Sequence, residues 1–185
     1  PTTYVIYVLM ELASSDWEQE IIKRKRYKKY YTEKELKSIL ASLTDTFVQL
    51  QKVNISHREI KPQNILTFAE GQNFKLADFG EAKELLKGVT KKQTLRGTEL
   101  YMAPILFQAL RSQKIMKYVN HNPYKSDVFS FGLCSLFAAT LNFESIYEIR
   151  ELDNNVSIHA VLERYLRKKY SYDVINIISK MLDIN

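Results

Sequence analysis

Two short clusters set oxygen donors and a lysine in a pattern suited to a phosphate-bound cation. The first is His57-Arg58-Glu59-Ile60-Lys61-Pro62-Gln63-Asn64 and the second is Asp78-Phe79-Gly80. Apolar runs at residues 65–68 and 74–77 lie between them, and Glu70-Gly71-Gln72-Asn73 joins the runs as a turn, so the spacing predicts a hairpin. A hairpin returns the chain to where it left, which brings Asn64 and Asp78 together at its open end. An amide oxygen and a carboxylate are hard donors that suit Mg²⁺ held partly by substrate phosphates. Lys61 adds positive charge where a phosphoryl group would lie, and Glu59 offers a carboxylate to accept a proton or orient a hydroxyl. The set fits phosphoryl transfer, where positioning and charge neutralisation do nearly all of the catalytic work. Taken singly, each piece has an ordinary structural use; together, residue type, order and spacing agree.

The elements that must position these groups are legible from periodicity. Residues 4–10 form an apolar, β-branched and aromatic run that reads as a buried strand. Ala13-Ser14-Ser15-Asp16 ends it, and Asp16 is placed to cap a short helix through Trp17, Ile21 and Ile22. Thr32-Glu33-Lys34-Glu35 is a capping box, and Leu36, Ile39, Leu40, Leu43, Phe47 and Leu50 follow at helical spacing to about Val53. Pro62 stops that helix from continuing through the polar stretch 54–64. Residues 78–104 show no period, and a loop of that length inside a compact domain is usually functional. Residues 126–141 are apolar nearly all round, the mark of a helix buried at the centre of a domain. Val174, Ile175, Ile177, Ile178, Met181 and Leu182 give one further amphipathic helix. The fold class is mainly α with short β-hairpins, an α+β domain around one core.

Composition removes several alternatives. Apolar residues make up 45% of the 185, with only 5 Gly and 4 Pro, which excludes a disordered or fibrous chain. Cys134 is the only cysteine, so neither an internal disulfide nor a thiolate zinc cage can form, and a reducing, cytoplasmic or nuclear compartment is expected. Its place inside the central helix reads as core packing. No signal peptide or spanning apolar run is present, and no membrane segment is expected. Lys+Arg exceed Asp+Glu by 27 to 21, and Lys23-Arg24-Lys25-Arg26-Tyr27-Lys28-Lys29 concentrates the excess. That run reads as a solvated helix end; beyond Tyr27, Tyr30 and Tyr31 it has no platform for bases, so no nucleic-acid partner is expected. The chain begins at Pro1 and ends just after a helical pattern, as a piece of a longer protein would.

The chain resembles the eukaryotic protein kinase family, serine/threonine type, in four motifs. The first cluster is similar to the catalytic loop H-R-D-L-K-P-E-N and the second to the metal-binding D-F-G. Gly97-Thr98-Glu99-Leu100-Tyr101-Met102-Ala103-Pro104 resembles the end of the activation segment, and Ser126-Asp127-Val128-Phe129-Ser130-Phe131-Gly132 the start of the central helix. The resemblance implies a single partial kinase domain, with residues 1–13 the last N-lobe strand and hinge and residues 14–185 the C-lobe. It implies Mg²⁺ on Asn64 and Asp78, Lys61 on the γ-phosphate of ATP, and Glu59 at the base position. Met10 would be the gatekeeper, the backbones of Glu11 and Ala13 would bind adenine, and Leu66 would pack beneath it. His57 and Phe79 would be structural, stacked in a spine anchored by Asp127, and Thr98 would help to fix the catalytic loop. Arg58, before the catalytic carboxylate, and Thr94 imply an upstream kinase acting on Thr94; a protein bearing Ser or Thr would be the substrate.

Three departures qualify these expectations. Glu59 replaces the family's aspartate, moving the carboxylate by up to about 1.5 Å, which implies an impaired or altered enzyme or, alternatively, a pseudokinase that binds nucleotide and regulates a partner. Ile105 stands where A-P-E calls for glutamate, so the activation segment loses an ion pair. The Gly-rich loop, strand lysine and helix glutamate would precede Pro1, so the isolated chain is expected neither to transfer phosphate nor to bind ATP tightly.

Overall fold

A computed structural model describes residues 5, 7–85, 93–112 and 118–184. Its centre is helix α4 (Pro123–Thr140), whose Phe129, Phe131, Leu133, Cys134, Leu136, Phe137, Ala138 and Ala139 are all buried. The helix starts three residues earlier than periodicity predicts, because the Asn122 carboxamide accepts from the amides of Tyr124 and Lys125 while Pro123 takes the first helical position. Helices α1 (Trp17–Arg26), α2 (Glu33–Lys52), α3 (Pro104–Arg111), α5 (Glu144–Arg150), α6 (Asn155–Leu166) and α7 (Tyr172–Met181) surround it. Helix α7 comes so close to α4 at Gly132 that a Cβ there would lie 2.9 Å from both Met181 Cβ and Leu182 Cδ2.

Local chemistry accounts for two helix starts. Asp16 accepts from the Gln19 amide at 2.9 Å and so caps α1. At α2 both halves of the capping box are made: Thr32 Oγ1 accepts from the Glu35 amide, and Glu35 Oε2 accepts from the Thr32 amide. Trp17, fully buried, donates to the Tyr31 hydroxyl at 3.2 Å and meets Phe74 edge-on, 5.6 Å between centroids. The basic run is not uniformly solvated. Arg24 folds inward to pair with Glu20 and Glu35 and lies 3.8 Å over the Tyr31 ring, while its neighbours in the run are exposed.

Short strands complete the frame. β3 (Ile65–Phe68) and β4 (Asn73–Leu76) form the predicted hairpin with Ile65 opposite Leu76, one residue earlier on its second arm than expected. The shift arises because the turn closes over Ala69–Gly71, with Ala69 and Gly71 both at positive φ, which lets Asn73 pair with Phe68. β1 (Ser15–Asp16) adds to the outer side of β3. β2 (Ile55–Ser56) pairs β5 (Lys83–Glu84), and β6 (Gln93–Thr94) pairs β7 (Tyr118–Val119). Two of these pairs recruit the stretch 78–104, where two-residue strands are too short to show a period.

The strand expected over residues 4–10 is not found among the described residues of that range; Tyr4 and Ile6 lie outside them. Tyr7, Val8, Leu9, Met10 and Leu12 are exposed, and the first paired residues are Ser15 and Asp16. A β-branched and aromatic run becomes a strand only with a neighbour to take its N–H and C=O groups, and no described strand does so here. Among the described residues no helix is long and apolar enough to cross a membrane.

Candidate active site

The site is assembled on the buried carboxylate of Asp127, in the second turn of α4. It accepts from Ser56 Oγ at 2.7 Å and from the backbone amides of His57 and Arg58, each at 2.8 Å. Burial pushes the Asp127 carboxyl above its ordinary value, against the opposing pull of those three donors. The grip stabilises a turn in which Arg58 holds a left-handed φ of 70°. The buried His57 ring lies 4.9 Å from Phe79, edge to face, and its Nε2 is 3.0 Å from the Ala77 carbonyl. The Glu59 amide donates to His57 Nδ1 at 3.4 Å, so the neutral ring carries its proton on Nε2. Burial lowers the His57 pKa and favours that neutral form.

Three side chains converge just beyond this turn. Glu59 Oε1 accepts from Lys61 Nζ at 2.8 Å and from Thr98 Oγ1 at 3.3 Å. Asn64 Nδ2 donates to the Glu59 carbonyl at 2.9 Å, which fixes the amide so that Oδ1 faces away from that bond. The Ala77 amide donates to the Asn64 carbonyl at 2.9 Å, closing the hairpin's open end and setting Asp78 next to Asn64 in the fold. Asp78, at φ 59°, accepts from the Gly80 amide at 3.2 Å. Among the described residues no group of three His, Cys, Asp or Glu could hold a metal alone. Asn64 and Asp78 offer hard oxygen donors, a chemistry that suits an ion completing its shell with water and phosphate, as Mg²⁺ does.

A second group surrounds Thr94. Arg58 Nη2 donates to the Thr94 carbonyl at 2.8 Å and to its hydroxyl at 2.5 Å. Arg96 and His121 line the same small cavity, and Arg96 pairs with Glu81 at 3.0 Å. Burial lowers the His121 pKa, and the Arg58 charge lowers it further.

The structure brings Arg58, Glu59, Lys61, Asn64, Thr94, Thr98 and Asp127 into this one region, with His57, Phe79 and Asp78 beside it. It does not bring Met10 there; that side chain is 72% exposed. Glu11 pairs with Lys75, the cross-strand neighbour of Leu66 in β3, and Ala13 and Leu66 are half-buried nearby. Ile105, in the first turn of α3, is 46% exposed. Sequence reasoning did not single out Ser56, Glu81, Arg96, His121 or Arg150. Their partners lie far along the chain or are backbone atoms; the polar Ser56 beside the first cluster was the one local signal.

Residues 2–185 match the protein kinase domain family, and the chain belongs to that family. It is 31% identical over 190 residues to the probable serine/threonine-protein kinase nek3 of Dictyostelium discoideum, covering 97% of this chain and 15% of that protein. It is 30% identical over 155 residues to the serine/threonine-protein kinase cds1 of Schizosaccharomyces pombe, covering 83% of this chain and 33% of that protein. To the serine/threonine-protein kinase hippo of Drosophila melanogaster it is 31% identical over 133 residues, covering 72% and 18%. The chain thus spans a third or less of the length of these relatives.

Proposed function

We propose that the protein carrying this chain transfers the γ-phosphate of ATP to a Ser or Thr hydroxyl of a protein substrate, with Glu59 at the base position. The observation that carries this reading is the convergence of Lys61 Nζ and Thr98 Oγ1 on Glu59 Oε1, with Asn64 tied to the Glu59 carbonyl. Glu59 would accept the hydroxyl's proton or orient it, its longer side chain drawn back by those two donors. Lys61 would neutralise charge on the phosphoryl group. Asn64 Oδ1 and the Asp78 carboxylate would hold Mg²⁺, which when bound supplies charge stabilisation to the phosphates. Glu11, Ala13 and Leu66 would border the adenine, and residues 14–185 would be the C-lobe of the domain.

The cavity at Thr94 supports regulation by an upstream kinase. A phosphate there adds about −1.5 to −2 charges facing Arg58 and Arg96, in place of a hydroxyl that Arg58 already contacts. Treatment with phosphatase should lower activity in the wild type and leave a Thr94→Ala variant unchanged.

The exchange of Asp for Glu at position 59 keeps a second reading open, that of a nucleotide-binding regulator without phosphotransfer. The deciding assay measures phosphate transfer to a generic Ser/Thr protein by the full-length protein, beside Glu59→Asp and Asp78→Asn. Transfer by the wild type, abolished by Asp78→Asn, upholds the enzyme. A silent wild type with an active Glu59→Asp variant makes the protein a pseudokinase.

A further inference from the structure

We propose that Arg150 is a positioning residue that holds the segment bearing Thr98 against Glu59, the anchoring task for which Ile105 supplies no carboxylate. The proposal deepens the phosphotransfer reading above and rests on it.

Arg150 closes helix α5, whose Ile146 and Ile149 are buried in the core, so its backbone stands on a rigid support. Its guanidinium donates through Nη1 to the Met102 carbonyl and through Nη2 to the Glu99 carbonyl at 3.4 Å, and it lies 3.8 Å over the Phe107 ring. Burial lowers its pKa to about 10, so the charge sits where water is scarce. A partly desolvated cation is costly unless carbonyl dipoles and a ring face offset the loss of hydration. Here both do, and hydrogen bonds from a charged donor are roughly twice as strong as neutral ones.

The two carbonyls it grips bracket the 3₁₀ turn Glu99–Tyr101. Within that turn the Tyr101 amide donates to the Thr98 carbonyl at 2.9 Å and the Met102 amide to the Glu99 carbonyl at 3.3 Å. Thr98 begins the turn, and its hydroxyl is the donor to Glu59 Oε1. A clamp at Glu99 and Met102 therefore sets where Thr98 stands, and through it the carboxylate of Glu59. The contact reaches the segment from α5 and grips both ends of the turn, whereas the Ile105 side chain carries no polar atom to anchor it.

The test is Arg150→Met in the full-length protein, which keeps an unbranched apolar arm for Phe107 and deletes both donors. We expect kcat for a Ser/Thr protein substrate to fall by about 10-fold or more, in line with the cost of small displacements at a reacting centre, with the KM for ATP unchanged. Amide hydrogen exchange at Tyr101 and Met102 should quicken. Arg150→Met combined with Thr98→Ala should lose no more than the weaker single variant, because one acts through the other. Arg150→Lys, with a single flexible donor, should fall between wild type and Arg150→Met, and it carries the comparison if the methionine variant does not fold. Wild-type kcat and exchange in Arg150→Met, or losses that multiply in the double variant, would overturn the proposal. A silent wild type would instead sink the phosphotransfer reading. Faster exchange at Tyr101 and Met102 would then still establish the clamp, and unchanged exchange would dismiss it.

Discussion

The loop from Ser56 to Asn64 and the segment from Asp78 to Ala103 meet at Arg58, yet they are held by different means. The loop hangs on a buried carboxylate that takes three donors, two of them backbone amides, so its shape is built into the core. The described part of the segment is held by two short strand pairings and by discrete side-chain contacts: Arg58 on Thr94, Glu81 on Arg96, and Arg150 on two carbonyls. Backbone bonds to a buried acceptor hold in any state of the protein that keeps the core. A half-exposed ion pair such as Glu81–Arg96 can be exchanged for others at little cost. The loop is thus built into the core, whereas the segment depends in part on contacts nearer the surface, where the proposed modification of Thr94 would act.

The sharpest way to break this contrast is Asp127→Ala. It strands the Ser56 hydroxyl and two buried amides, each worth about 1–3 kcal/mol when left unsatisfied, so the protein should lose roughly 3 kcal/mol or more in urea unfolding. A loss below about 1 kcal/mol would mean that the loop does not depend on the core. Gly132→Ala comes next: its Cβ would press on Met181 and Leu182 at 2.9 Å, and overpacking of that kind costs about 1–3 kcal/mol. An unchanged unfolding midpoint would show that α7 yields freely.

A pH series separates the two regions further. The folded state keeps His57 neutral by burial, while the unfolded chain takes up a proton near pH 6.5. Its contribution is therefore complete above about pH 6.5 and is lost as the pH falls toward the depressed folded value. Between pH 7 and about 5.5 the wild type should lose more stability than His57→Phe; equal losses would place the acid sensitivity elsewhere. The smallest effect belongs to the segment. A double-mutant cycle on Glu81 and Arg96, exposed 38% and 52% at their side chains, should return a coupling of about 0.2–1 kcal/mol that salt weakens. A coupling above about 2 kcal/mol would put the segment on the same footing as the loop.

What could be read from the sequence follows how far apart the interacting groups are. The Thr32–Glu35 capping box, the β3–β4 hairpin and the buried central helix were legible because each is specified within one or two turns or strands. The Asn122-Pro123 start of α4 was equally local and was overlooked, because hydrophobic periodicity begins only after it. The association of Asp127 with His57 and Phe79 came from resemblance to a family; nothing local in the chain relates residues 70 apart. Arg150 was out of reach, since its partners are carbonyls 48 and 51 residues away and every residue carries a carbonyl. No strand is seen at residues 5 and 7–10, because strand propensity names a willing partner and says nothing about whether one is present.

Trp17 is the sole tryptophan in the chain, and it sits dry between Tyr31, Phe74 and Phe131. The chain therefore carries an optical reporter of its own core, remote in sequence from every position altered above. A red shift of its emission marks water entering that core, so a variant that has lost its fold can be told from one that has merely lost its chemistry without attaching any label.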